Sequence, residues 1–189
     1  MNGTSAIQQI LVSGVGGQGI LFITRLLAEA AIYNGYPVLT SETHGMAQRG
    51  GIVVSHLKAG SFSSPLIRPA RADVLLLLKK DNLGNHLFYL NPCGIVIINS
   101  PSNPGWPEER KMLVVDADEA ANGLHLPGSA NLVLTGFAVA ALKKTGRQIF
   151  CSPDDLRAIL CNKLAGRDKL LSASISAFDH GVLSAEKLN

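Results

Sequence analysis

The chain contains 189 residues, of which 47% are hydrophobic and 16% are charged, and its formal net charge is +3 at pH 7. This length and composition predict one globular domain over residues 1–189, with a full hydrophobic core. Lysine and arginine are scattered along the chain, which argues against a nucleic-acid partner. No signal peptide or membrane-spanning run is recognisable, so we expect a cytoplasmic protein with no membrane partner.

The charged fraction is low compared with roughly 25% in typical soluble proteins. Burial of part of the surface against other subunits would explain this value, and so would burial in a large doubly wound core. The composition therefore agrees with a subunit of a complex but does not require one.

Hydrophobic periodicity and turn residues predict strands that alternate with helices. The predicted strands are 9–13, 37–41, 52–58, 72–78, 94–99 and 112–115. The predicted helices are 20–34, 83–90, 117–122, 130–144, 153–164 and 168–178. Ser152, Pro153 and Asp155 have the pattern of a capping box at the start of the fifth helix.

This order of elements predicts an α/β fold with three layers, α/β/α, around a mixed, mainly parallel sheet. The first strand, helix and second strand form a Rossmann-like βαβ unit, which implies a parallel pair of strands. A hairpin turn at 58–61, before Phe62, would add antiparallel pairing. Ligand or partner chemistry is expected beyond the carboxyl ends of the strands.

A glycine-rich turn joins the first predicted strand to the first predicted helix. Gly14, Gly16 and Gly19 have the spacing G-x-G-x-x-G, and Gly17 and Gln18 complete the turn. The N-terminus of a helix carries unpaired N–H groups and a partial positive charge, so it attracts an anion. We interpret this turn as a candidate site for a phosphate, a carboxylate or a group from another subunit.

Glu42 follows the second predicted strand, where a dinucleotide enzyme keeps the acid that binds the ribose. The glycine turn and Glu42 together allow a stand-alone oxidoreductase that binds NAD or a flavin. Tight turns and close helix–sheet packing need the same glycines, so the pattern does not require a nucleotide.

The segment 41–51 is polar, rich in glycine and without periodicity, and it contains Glu42, His44, Gln48 and Arg49. Arg49 suits a bidentate grip on an anion, and His44 is a titratable donor. A structural loop, in which Glu42 pairs with Arg49 and His44 bonds backbone carbonyls, explains the same residues. We assign no catalytic residue, because no nucleophile has an adjacent base.

The cysteines Cys93, Cys151 and Cys161 are far apart and form no C-x-x-C motif. This spacing does not fit a zinc or iron–sulfur site, and we expect no metal site in this chain. Free cysteines mostly behave as small apolar side chains, so we expect all three to be buried or half-buried.

Two N-terminal motifs together resemble one known family. They are Val12-Ser13-Gly14-Val15-Gly16-Gly17-Gln18-Gly19-Ile20 and Glu42-Thr43-His44-Gly45-Met46-Ala47-Gln48-Arg49-Gly50-Gly51, followed by Ser55-His56. The chain resembles the gamma-type subunit of 2-oxoacid:ferredoxin oxidoreductases. Within that group it is most similar to the beta subunit of indolepyruvate ferredoxin oxidoreductase. Looser similarity continues through Ala72-Asp73-Val74-Leu75 to Ala177-Phe178-Asp179-His180-Gly181.

The resemblance implies a subunit of a complex that oxidatively decarboxylates a 2-oxoacid, such as indolepyruvate, to an acyl-CoA and reduces ferredoxin. Thiamine diphosphate and iron–sulfur clusters would be carried by partner subunits, with no cofactor bound by this chain alone and CoA as a co-substrate. Residues 14–19 and 42–51 would then face the partner subunits near the catalytic cleft. Lys79-Lys80-Asp81-Asn82 departs from the family pattern, which leaves the choice of oxoacid open.

Three hypotheses remain open at the level of sequence. The chain completes the active-site cleft of the oxidoreductase complex, or it binds NAD or a flavin by itself, or it is a scaffold that affects only assembly.

Overall fold

A six-stranded sheet forms the centre of the protein in a computed structural model, which describes residues 8–44, 51–105, 111–147 and 149–188, without the side chain of His44. The strands are β1 (Gln9–Val15), β2 (Val38–His44), β3 (Ile52–Ala59), β4 (Ala72–Leu77), β5 (Leu90–Asn99) and β6 (Lys111–Val115). Their spatial order is β2-β3-β1-β4-β5-β6. Strand β3 runs antiparallel to both of its neighbours, and the other pairs are parallel. The prediction of a mixed, mainly parallel sheet is confirmed.

The predicted parallel pairing of the first two strands is wrong, because β3 lies between β1 and β2. The two strands point the same way, but each pairs with β3. Burial explains this order: β3 is buried over its last five residues, whereas much of β2 is exposed. A strand buried on both faces takes an interior position, and the more polar strand takes the edge.

The predicted turn at 58–61 does not lead into a strand at Phe62. The antiparallel hairpin is instead formed one step earlier, by β2 and β3, with Val38 opposite Ala59 and His44 opposite Val53. Gly60 donates its N–H to the carbonyl of Pro37 at 2.8 Å, which closes the far end of this hairpin.

The helices are α1 (Ile20–Tyr33), α2 (Leu83–His86), α3 (Ala117–Gly123), α4 (Ala130–Lys144), α5 (Pro153–Lys163) and α6 (Asp168–Glu186). The predicted bounds of α4 are confirmed, and so is the capping box of α5 between Ser152 and Asp155. Helix α6 continues past the predicted end at Phe178, because Gly181 and Ala185 extend its buried stripe.

The two faces of the sheet carry unequal layers. One face packs against α1, α3, α4, α5 and α6 through side chains such as Val12 and Leu76. The opposite face, with Leu11 and Leu75, is covered by the short helical segment 80–89 and by Ile67. The α/β/α arrangement is therefore present, but its second helical layer is thin.

Helices α4 and α6 cross at two glycines. A Cβ added to Gly136 would lie 2.1 Å from the carbonyl oxygen of Phe178, and one added to Gly181 would lie 2.0 Å from that of Val133. Such distances are far below van der Waals contact, so the backbones can approach this closely only without side chains here.

Candidate functional site

The glycine turn connects the carboxyl end of β1 to the N-terminus of α1. Gly19 is the N-cap residue of α1 and has a left-handed backbone with φ 74°. A Cβ on Gly19 would lie 2.2 Å from Nδ2 of Asn131, and one on Gly14 would lie 2.6 Å from Oε1 of Gln18. The first turn of α1 contains no acidic residue, and no side chain among the described residues caps it, so its dipole favours an anion here.

Gln18 folds back over the turn and ties β1 to β4. Its Oε1 accepts the N–H of Val15 at 2.8 Å, and its Nε2 donates to the carbonyl of Leu78 at 3.4 Å. Leu78 in turn donates its N–H to the carbonyl of Ser13 at 2.8 Å. Gln18 thus closes the gap between the ends of these two strands.

This gap is the topological switch point of the sheet. After β1 the chain crosses to the face covered by α1, and after β4 it crosses to the opposite face, where α2 packs. Ligands of α/β proteins bind at such points. Here Asn82 fills the space from the other side, because its Nδ2 donates to Oγ of Ser13 and to the carbonyl of Gly14.

Asn99, at the end of β5, connects the segments that follow β4 and β6. It was not predicted as a site residue. Its Nδ2 donates to the carbonyl of Leu78 and to Oδ2 of Asp118, and its Oδ1 accepts the N–H of Ala117. The sequence signal was a single asparagine at the end of the apolar run 95–98. A buried amide at the carboxyl end of a parallel strand needs partners, and these partners come from the two neighbouring strand ends.

The second predicted segment begins within β2 and ends beside the glycine turn. The chain returns at Gly51, whose carbonyl accepts the N–H of Gly16 at 3.0 Å. His44 pairs with Val53, which pairs in turn with Gly14. Gln48 and Arg49 lie outside the described residues, as does the side chain of His44. The structure thus brings both ends of segment 42–51 to the same edge of the sheet as the glycine turn.

A dinucleotide does not fit this geometry. Glu42 pairs with Ser55 on β3, and Ser55 pairs with Val12 on β1. The acid is therefore two strands, or about 10 Å, away from β1, whereas a ribose-binding acid belongs on the adjacent strand.

A shallow groove of about 450 Å³ runs along the outer side of the glycine turn. Its lining is mostly apolar and comes from the turn, the first turn of α1 and one residue of β3: Val15, Gly16, Gly17, Gly19, Ile20, Leu21, Phe22 and Val53. The groove combines apolar walls with the N–H groups of a helix terminus. Such a combination suits a partner segment or an organic anion better than a bare inorganic ion.

The described residues contain no cluster of three His, Cys, Asp or Glu side chains that could hold a metal ion. The expectation that all three cysteines are buried or half-buried is wrong for two of them, because Cys93 and Cys161 are exposed, whereas Cys151 is buried. Both exposed cysteines lie on the outer surface of regular elements, Cys93 in β5 and Cys161 in α5. In the part of the chain that the structure describes, no helix has the length and apolarity needed to cross a membrane.

Residues 9–184 match the protein family described as pyruvate ferredoxin/flavodoxin oxidoreductase. The chain is 28% identical to indolepyruvate oxidoreductase subunit IorB of Pyrococcus horikoshii, over 95% of this chain and 96% of that protein. It is 44% identical to the IorB subunit of Archaeoglobus fulgidus, over 48% of this chain. That second match spans 45% of the relative's length.

Among solved structures, the chain is similar to the gamma subunit of a keto/oxoacid ferredoxin oxidoreductase from Geobacter sulfurreducens. The two chains are 24% identical and superpose with a TM-score of 0.76, over 96% of this chain and 99% of that one. At this level of identity the similarity shows a shared fold.

Proposed function

Because the chain belongs to the pyruvate ferredoxin/flavodoxin oxidoreductase family, we propose that it is a non-cofactor subunit of a 2-oxoacid:ferredoxin oxidoreductase. The complex would oxidatively decarboxylate a 2-oxoacid such as indolepyruvate to an acyl-CoA and reduce ferredoxin. The observation that carries this proposal is the alignment with the Pyrococcus horikoshii IorB subunit along nearly the whole of both chains.

Thiamine diphosphate and the iron–sulfur clusters belong to partner subunits in this proposal. An iron–sulfur cluster is usually held by four cysteines, and this sequence has three. Ferredoxin would then receive electrons through the complex, and CoA would enter as co-substrate. The chain is inactive alone and active when assembled.

The glycine turn with Gln18, together with segment 42–51, would complete the wall of the active-site cleft. Support comes from the N-terminus of α1, which no side chain of the described residues caps, and from the hydrogen bond between Gly16 and Gly51, which holds turn and segment together. Arg49 and His44 would bind an anionic group, either the carboxylate of the oxoacid or a phosphate of CoA. Both groups carry the charge that a helix N-terminus favours.

Co-expression with the thiamine-carrying subunit of the same organism tests the function. We expect the purified complex to reduce ferredoxin when indolepyruvate and CoA are supplied, and the isolated chain to show no turnover. Failure of the chain to assemble, with no thiamine-dependent oxidation recovered, would refute the proposal. Calorimetry with NADH, NADPH and FAD should detect no binding at millimolar ligand.

Two substitutions separate a cleft residue from a scaffold residue. We expect Arg49→Ala and His44→Ala each to raise the KM for the oxoacid or CoA by at least about tenfold, because a charge-assisted hydrogen bond to an anion contributes about 1.5–3 kcal/mol. Arg25→Ala removes an exposed arginine from α1 and should leave both KM values unchanged. If the two variants alter only the yield of complex, segment 42–51 serves assembly alone.

A further inference from the structure

The thinly covered face of the sheet carries two large apolar side chains that protrude into solvent. Leu66 is 50% exposed and Phe88 is 55% exposed. They belong to two adjoining segments, because Ala70 donates its N–H to the carbonyl of Phe88 at 2.8 Å and Arg71 donates to that of Tyr89 at 2.9 Å. We refer to Leu66, Arg68, Arg71 and Phe88 as the Leu66–Phe88 surface.

The side chains beneath this surface hold it in one shape. The N–H of Ile67, next to Leu66, donates to Nδ1 of His56 at 3.2 Å. The His56 ring contacts the Tyr89 ring at a centroid distance of 5.6 Å, and Tyr89 packs against Phe88 at 4.1 Å. His56 is only 3% exposed. The two apolar side chains therefore adjoin the packed rings of His56 and Tyr89 and do not belong to a loose loop.

The backbone between the two arginines is held in an uncommon conformation. Ala70 has φ 56°, which costs an L-residue about 1–2 kcal/mol. The strained residue is the one whose N–H bonds to Phe88. Strain of this kind persists where the surrounding structure fixes it, and it often marks functional surfaces.

The Leu66–Phe88 surface carries two positive charges and contains no carboxylate. Arg68 and Arg71 are exposed. Lys58 lies over the Phe62 ring. Burial, together with the positive charge of nearby Arg68, lowers the pKa of Lys58. The carboxylate of Asp73, two residues after Arg71, already accepts the N–H groups of Gln8 and Gln9 and the amide of Asn91. A complementary partner must therefore supply its own carboxylates.

We propose that the Leu66–Phe88 surface docks onto the thiamine-carrying partner subunit, which presents an apolar recess bordered by Asp or Glu side chains. Aromatic residues and arginine are the types that carry most of the binding energy in protein interfaces. The inference rests on the proposed function and adds to it a second contact region, on the opposite face of the sheet from α1, α3, α4, α5 and α6. The low charged content of the chain agrees with such a covered face.

Two double variants test the surface in the full chain against the immobilised partner subunit. Leu66→Ser with Phe88→Ser should raise the Kd of the complex at least about tenfold. Arg68→Glu with Arg71→Glu should raise it about tenfold at low salt and less at high salt, because added salt screens exposed charges. Both pairs are surface substitutions, and unchanged thermal unfolding midpoints would show that the variants are folded.

Helix α6 offers matched controls on the other face. Leu170 and Leu183 are 49% and 55% exposed, so changing both to serine removes two apolar side chains of similar fractional exposure elsewhere. Arg167→Glu with Lys169→Glu reverses two exposed charges next to Leu170 in the sequence. These controls should retain the wild-type Kd.

The other possible outcomes distinguish a failure of the surface assignment from a failure of the proposed function. If the test variants bind as tightly as wild type, or if the controls weaken binding equally, the surface is wrongly assigned while the proposed function stands. A wild-type chain that neither binds the partner nor supports turnover refutes both. If the chain alone forms a dimer that the test variants dissociate, a second copy occupies this surface.

Discussion

Gly19 shows how one residue sets the geometry of the candidate site. Its φ of 74° favours glycine, and a Cβ at this position would lie 2.2 Å from Nδ2 of Asn131, so a larger residue would have to displace that side chain. The glycine pattern identified this residue from sequence alone. Its contact with Asn131 was beyond reach, because more than a hundred residues separate the two and only packing of α4 against α1 brings them together.

We predict that Gly19→Ala lowers the free energy of unfolding by about 2–3 kcal/mol. About 1–2 kcal/mol comes from the left-handed backbone, and the rest comes from displacing Asn131. Gly146→Ala is the matched control, since Gly146 also has φ 74° but a Cβ there meets nothing within 4 Å. Urea titration of both variants measures the difference, and equal losses would show that Asn131 yields freely.

At the scale of elements, local sequence patterns predicted several helix bounds and a cap correctly but predicted the pairing of the first strands incorrectly. The bounds of α4 and the cap of α5 follow from short-range signals, such as Ser152 and Asp155 three residues apart. The position of β3 between β1 and β2 depends on residues 52–59 pairing with β1, a strand distant in sequence, as well as with β2. Asn82 and Asn99 were missed for the same reason, because their partners lie on other elements, Ser13 on β1 for Asn82 and Asp118 in α3 for Asn99.

The close crossing of α4 and α6 should make the protein sensitive to substitution of its glycines. Gly181→Ala should lower the free energy of unfolding by about 3 kcal/mol, because its Cβ would meet the backbone oxygen of Val133 at 2.0 Å and the helices must separate. Gly84→Ala in α2 has open space around its Cβ and should be neutral or stabilising by about 0.5–1 kcal/mol. Thermal unfolding of both variants tests this, and a neutral Gly181→Ala would show that the helices are not tightly packed.

For the whole molecule, the family and the fold class were predictable and both predictions are confirmed. The glycine turn and segment 42–51 indicated the family that residues 9–184 match. The thin second layer and the buried histidines beneath it were not predicted, because an isolated imidazole in sequence carries no signal of burial. His56 and His86 are 3% and 7% exposed.

The burial of these two histidines makes the stability of the protein depend on pH. Burial lowers the pKa of both, with Lys58 and His86 adding to the effect on His56. The unfolded chain therefore takes up protons first as the pH falls below about 6.5, and stability declines between pH 7 and pH 5. We expect the thermal midpoint to fall over this range, and to fall less in His86→Gln. The variant His125→Gln, at an exposed position, should keep the wild-type slope; equal slopes in all three proteins would contradict the prediction.

The antiparallel strand at 52–59 also determines when the protein can begin to fold during synthesis. Strand β1 leaves the ribosome early but has no neighbour until β3 or β4 follows, and β2 has none until β3 arrives. The first helix therefore cannot be packed between paired strands, as it would be in an ordinary βαβ unit. The nascent chain therefore exposes the edges of two unpaired strands over this interval, a condition that promotes pairing with other chains.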